Sequence, residues 1–258
     1  MAIMTAELCA SVLATIIMVA NKLLVTLLFS FSILLFDGAL SYSSDAVINK
    51  EAPPIFVAIF DTGKGNSHED RVIKLFQQEL KNCSRCIIKN FPLYDAEGNL
   101  REKIVLNALK DAQKIKPALY HFSWNIEHSE KTKGIEKELQ KIVDGGAVIV
   151  AAVGENPQNR HRMLKLSETV MGQVKGVLLI GELNEKGNLA SRSNYGEELF
   201  TALKSPKGYL GSSFSSVRFS ARFLEEIQNK SSTKVLVKIH EAKKKSFLLY
   251  PSLNELFD

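Results

Sequence analysis

The chain has 258 residues and a formal net charge of +5. That excess is too small and too dispersed to point to nucleic acid, and the run Lys243-Lys244-Lys245 reads as a solvated tail face. Beyond an apolar N-terminal stretch, about 210 residues remain, enough for one domain around one core.

Residues 8–36 contain only two polar breaks of note, Asn21 and Lys22, and 23–36 is almost wholly apolar. About fourteen apolar residues are short for a membrane span and suit the apolar core of a signal peptide. Lys22 supplies the positive flank, Met18 offers a compact alternative start, and Gly38-Ala39-Leu40-Ser41 is an imperfect cleavage region. The expectation is that 1–40 forms a signal peptide or a membrane anchor, with a buried helix as the remaining reading. The domain beyond it would then be exported, either secreted or periplasmic, or held at the membrane outside the cytoplasm. Residues 41–54 are polar, end in Pro53-Pro54 and read as a linker.

From 55 onward, apolar runs alternate with helical stripes. The run 55–60 is β-branched and short, a buried strand. Val72, Ile73, Leu75, Phe76 and Leu80 make a helical stripe over 69–80. A short strand is expected over 86–91, a helix over 100–115 stopped by Pro117, and a strand over 118–124. A helix follows over 133–143, closed by Gly145-Gly146, and then the continuous apolar strand 147–153. Further along come a strand over 176–180, a helix over 213–228 and a late strand or tail over 234–239. This rhythm predicts an α/β, three-layer, doubly wound, mainly parallel sheet with helices on both faces.

Three cysteines occur, and Cys83 and Cys86 form C-x-x-C. Zinc would need two more ligands, and no second cysteine pair or close histidine pair supplies them. A local disulfide is expected in an exported chain, with free thiols as the alternative.

Sites in parallel α/β folds gather at the carboxyl ends of strands. Asp61, Trp124 and Gly154 each follow a predicted strand end. His68, one of five histidines with His121, His128, His161 and His240, opens a helix seven residues after Asp61. Gly211-Ser212-Ser213-Phe214-Ser215-Ser216 opens a later helix. A serine hydroxyl needs a base to take its proton and an acid to orient that base, and these segments carry all three groups. Taken singly, each has a plainer role: Asp61-Thr62-Gly63 as an Asx turn, His68-Glu69-Asp70 as a solvated helix start, Ser212 or Ser213 as an N-cap.

Six segments, in order, resemble the subtilisin-like serine peptidases. VAIFDTG resembles their aspartate motif, NSH the start of their histidine motif, and GGAVIVAAVGEN the central strand leading to their oxyanion asparagine. GYLGSSFSS resembles their serine motif; YHFSWN and VLLIGELNEKGNLASRSNYG resemble two connecting segments. The resemblance spans 55–228 and implies that 55–258 is a catalytic domain for peptide or protein substrates, with no cofactor. It implies Asp61 as orienting acid, His68 as general base and Ser213 as nucleophile. Ser123, Trp124 and Asn125 would form the strand beside the substrate, with Gly154 at the neighbouring strand end.

The sequence also departs from the family. His68 is followed by Glu69-Asp70-Arg71 where small residues are usual, and Asn125 stands at a usual glycine. The family's oxyanion asparagine aligns with Glu155, and Asn156 falls one residue late. A carboxylate there opposes a developing oxyanion. Asn156 swinging in, or a protonated Glu155 acting as donor, would be the remedies. The function implied is therefore a serine endopeptidase, with a catalytically inactive peptide- or protein-binding module as the alternative.

Overall fold

The computed structural model describes residues 52–63, 67–155, 163–246 and 250–258. The expected leader 1–40, most of the linker, Asn156 and His161 lie outside these residues. Side chains along β1 (Ile55–Asp61) alternate between two buried faces, as a strand covered on both sides requires. Val57 and Ile59 enter one apolar cluster; Ala58 and Phe60 enter the other.

The same double burial shapes β3 (Leu119–Phe122), β4 (Ile149–Ala152) and most of β5 (Leu178–Leu183). With β2 (Cys86–Pro92) and β6 (Leu199–Lys204) they make one parallel sheet among the described residues, in the order β2-β1-β3-β4-β5-β6. The strand order reverses between β1 and β3, so a crevice opens at the carboxyl ends of that pair.

Helices cover both faces. On one side lie α1 (Ser67–Glu79), α5 (Ser212–Ile227), α6 (Ser232–Lys245) and α7 (Leu253–Phe257), whose buried residues share a cluster with Val57, Ile59 and Val150. On the other lie α2 (Glu102–Lys114), α3 (Lys133–Asp144) and the short α4 (Val170–Gln173). The expected three-layer α/β architecture is therefore present.

Several elements differ from the sequence reading, which has no counterpart for the short helices α4 and α7. Residues 234–239 are not a strand or tail but part of α6. The apolar run hides a helical spacing: Val235 and Ile239 point inward four residues apart, and Ser231 accepts the Lys234 N–H as N-cap. Strand β6 has no counterpart in that reading. Its run Leu199-Phe200-Thr201-Ala202-Leu203 is buried throughout, although it closes the sheet.

Lys243 is a further correction, because it is not part of a solvated face. It is half-buried, its Nζ donates to the Leu199 and Phe200 carbonyls, and it sits 4.8 Å from the Phe200 ring centre. It thereby covers polar groups on the last strand, a role suited to lysine. Cys83 and Cys86 are joined by the expected disulfide, at the entry to β2.

Helix α5 carries the densest apolar load. Phe219 is fully buried, with ring centres of Phe200 and Phe257 at 5.7 and 5.5 Å. Phe219→Ala should cost about 3–5 kcal/mol. Urea unfolding of the two proteins checks this; a loss under about 1 kcal/mol would mean the site collapses around the gap.

Candidate active site

Strand β1 ends by delivering Asp61 to the crevice between β1 and β3, where only 2% of its side chain is exposed. Three donors meet the carboxylate there. Thr62 N–H donates to Oδ1 at 2.6 Å, the Ser123 hydroxyl donates to Oδ2 at 2.5 Å, and His68 Nδ1 lies 3.0 Å from Oδ1. Burial alone would raise the carboxyl pKa. The His68 hydrogen bond and charge, the Ser123 hydroxyl and the Thr62 amide outweigh it and hold the group below its ordinary 3.8. An ionised carboxylate only accepts, so the proton between the two groups sits on His68 Nδ1.

His68 is the second residue of α1, with 34% of its side chain exposed at the rim. Its ring centre is 5.5 Å from that of Phe214 on α5. One turn along α1, Arg71 lies over both Phe214 and Tyr209, at 4.9 and 5.2 Å from the ring centres, and donates to the Gly208 carbonyl at 3.0 Å. The sequence departure at Arg71 thus builds a cation–π clamp between the histidine helix and the serine loop. Glu69 is not in a solvated turn; it is buried and accepts from the Asn90 amide.

The other histidines have different settings. His121 is fully buried under α5, with Nδ1 2.9 Å from the Ser220 hydroxyl, and burial pushes its pKa down to about 3. His128 pairs with Glu136 at 2.7 Å. His240 lies edge-on to Phe200.

Ser213 is the second residue of α5, and its hydroxyl donates to the Ser123 carbonyl at 3.1 Å. Ser123 therefore touches both sides of the site: its hydroxyl holds Asp61 and its carbonyl holds Ser213. The sequence reading placed Ser123 on a substrate-side strand and missed this bracing. A serine directly after an apolar strand neighbouring the aspartate strand was the available signal.

The residues expected around the substrate fall in distinct environments. Trp124 is buried in the layer of α2 and α3. Asn125 is a strut: its amide donates to Val153 O and Thr169 Oγ1, each at 3.0 Å, and its oxygen accepts the Met171 N–H at 3.1 Å. Gly154 has φ +80°, and a Cβ there would sit 3.0 Å from the Asn125 carbonyl, so glycine suits both the backbone and the space. Glu155 turns to α5, where Oε1 accepts the Ser212 N–H at 2.8 Å and Oε2 lies 3.5 Å from Arg192 Nε. Those oxygens are engaged as acceptors.

The subtilase family model matches residues 87–209. That match covers just under half of the chain, which over this stretch is similar to the subtilase family. The matched stretch includes the β3 and β4 ends but none of Asp61, His68 and Ser213. Among solved structures, a lanthipeptide protease is similar over 73% of this chain and 79% of its own, at 12% identity and TM-score 0.58. A cold-adapted subtilisin-like serine proteinase is similar over 79% and 87%, at 12% identity and TM-score 0.57. A prenylagaramide maturation protease is similar over 74% and 83%, at 16% identity and TM-score 0.53. At these identities the likeness is one of fold. No curated relative matches the chain.

Two carboxyls at this site respond oppositely to pH. Asp61, held below 3.8, stabilises the fold above that value and loses its contribution as pH falls through the lowered pKa. Burial, then the Asp61 charge, raises Glu69 above its ordinary 4.5, so its contribution is present below 4.5 and is lost as pH rises through the raised pKa. Glu69→Gln should therefore raise Tm more near neutrality than below pH 4.5. Equal shifts at both pH values in thermal unfolding would contradict this environment for Glu69.

Proposed function

We propose that this chain is a subtilisin-like serine endopeptidase that hydrolyses peptide bonds through Asp61, His68 and Ser213. The observation that carries the reading is the 3.0 Å contact between Asp61 Oδ1 and His68 Nδ1, braced by Ser123 on the other carboxylate oxygen. Ser213 Oγ attacks the scissile carbonyl carbon while His68 Nε2 takes its proton. The C–N bond then breaks, His68 returns the proton to the leaving amine, and water hydrolyses the acyl-serine by the reverse proton path. In this reading the hydroxyl leaves the Ser123 carbonyl for the imidazole before attack. The developing oxyanion is met by the Ser213 N–H, an amide in the first turn of α5, where no intrahelical acceptor exists.

Peptide substrates fit the family and the names of two similar structures, a lanthipeptide protease and a prenylagaramide maturation protease. Export of the domain is supported by the Cys83–Cys86 disulfide, which persists in oxidising compartments. N-terminal sequencing of the mature protein would identify whether the leader is removed.

A second reading, a peptide-binding module without turnover, is favoured by Glu155: the family resemblance aligns it with the oxyanion asparagine, and its side chain is an acceptor of the Ser212 N–H. Loss of one oxyanion donor costs about 10²–10³ in rate, a value the family's own subtilisin supplied. A fluorophosphonate probe should label the parent at Ser213, and Ser213→Ala should abolish both labelling and peptide hydrolysis. Folded parent with neither labelling nor turnover, but with peptide affinity that survives Ser213→Ala, would favour the binding module. Glu155→Asn should raise kcat by about tenfold or more by supplying an amide donor; an unchanged or lower kcat counts against an oxyanion beside residue 155.

A further inference from the structure

The first two amides around the start of α5 each meet a carboxylate. Gly211 N–H donates to Glu182 Oε1 at 2.8 Å, and Ser212 N–H donates to Glu155 Oε1 at 2.8 Å. The next amide along is that of Ser213, the oxyanion donor in the reading above. Two negative groups thus stand beside the place where a third must develop.

One side chain meets both. Arg192 Nη2 donates to Glu182 Oε2, and its Nε lies 3.5 Å from Glu155 Oε2. We propose that Arg192 is a positioning residue for the peptidase chemistry, holding Glu155 against the Ser212 amide and cancelling its charge as the oxyanion forms. The inference rests on the proposed function.

The loop that presents Arg192 is built around this contact. Residues 190 and 193, on either side, are fixed to the same two glutamate segments. Ala190 N–H donates to the Glu182 carbonyl at 2.7 Å, Glu182 N–H donates to the Ser193 hydroxyl at 3.4 Å, and Ser193 bridges to Glu155 as an isolated antiparallel pair. The backbone on both sides of Arg192 is therefore held against both glutamate segments. Its side chain is 33% exposed, against 3% for Glu182 and 29% for Glu155, and it borders a cavity of about 740 Å³ also lined by Tyr209 and Leu210. Lys204, on the same cavity, is directed elsewhere: its Nζ donates to the Glu185 carbonyl at 3.1 Å.

The geometry suits arginine and no other cation. A planar fork offers donors along separate edges, so one group spans two carboxylates at fixed positions. A lysine ammonium is a point charge and serves both less well. Attack builds negative charge on the carbonyl oxygen, and an uncompensated carboxylate nearby opposes it. Because that repulsion exists in the transition state and not in bound substrate, losing Arg192 should lower kcat rather than raise KM.

A double-mutant cycle on the full chain tests this, with kcat and KM measured for peptide hydrolysis. Arg192→Gln should lower kcat about 10- to 100-fold with KM changed less than about threefold. Arg192→Lys should recover part of the loss. The double variant Glu155→Gln, Arg192→Gln should recover most of it, because the charge to be cancelled is gone. Since Arg192→Gln strands buried Glu182, the same comparison is made with Glu182→Gln in every member, which keeps the series folded. A loss that persists undiminished in the Glu155→Gln background, or that falls on KM, or no loss at all, overturns the role of Arg192 while leaving the peptidase standing. A parent that turns over no peptide overturns the peptidase reading, and this inference with it.

Discussion

The Asp61 carboxylate is the fixed point of the molecule's polar architecture. It is removed from water at the crevice between β1 and β3, and an isolated buried charge is costly unless it is met by donors. Three donors from three segments meet it: the Thr62 amide beyond β1, the Ser123 hydroxyl beyond β3 and the His68 ring on α1. Satisfying that one group sets the spacing of the two strand ends and the tautomer of the imidazole together. The same contact that keeps the carboxylate ionised holds the proton on Nδ1.

Helix α5 carries the other half of the arrangement. Its interior face is packed with Phe214, Val217, Phe219, Ala221, Phe223 and Leu224, so its axis is set by the core. Its first turn is set by polar contacts instead. Gly211 enters with φ +125°, and a Cβ there would lie 3.0 Å from Glu155 Oε1, so the close approach of that carboxylate depends on glycine. Two guanidinium groups then tie this turn to its surroundings, Arg71 by cation–π contact on the Phe214 and Tyr209 side and Arg192 by ion pairs on the Glu155 and Glu182 side. Reactive groups on a helix start need such support, because loop backbone alone leaves them free to shift by amounts that matter to chemistry.

Glu155 shows how the fold accommodates a carboxylate beside a helix start. A carboxylate at the end of the central strand would be left opposed to α5 were it not for the start of that helix itself. The first amides of a helix carry partial positive charge, and Glu155 takes one of them. Arg192 supplies the remaining compensation. The departure at residue 155 and the arginine in the β5–β6 loop are thus two parts of one arrangement.

Much of the fold was legible in the amino-acid order, because strands covered on both faces must read as unbroken apolar runs and the helices between them must carry one apolar stripe. The run 147–153 and the stripe from Val72 to Leu80 could hardly fold otherwise. Residues 234–239 misled because Val235, Leu236 and Val237 are consecutive, which suits either state; the choice fell to the core, which had room for Val235 and Ile239 on one helical face. The order of Asp61, His68 and Ser213 was equally legible as a set of motifs. What folding alone decided were the partners between segments far apart in the chain: the Ser123 hydroxyl on Asp61, the Arg71 guanidinium on Phe214, Arg192 between two glutamates, Lys243 on the last strand. Periodicity records which side of an element is apolar, through the free energy of burial. It holds no record of which buried carboxylate will meet which donor, since that depends on the distances that packing creates.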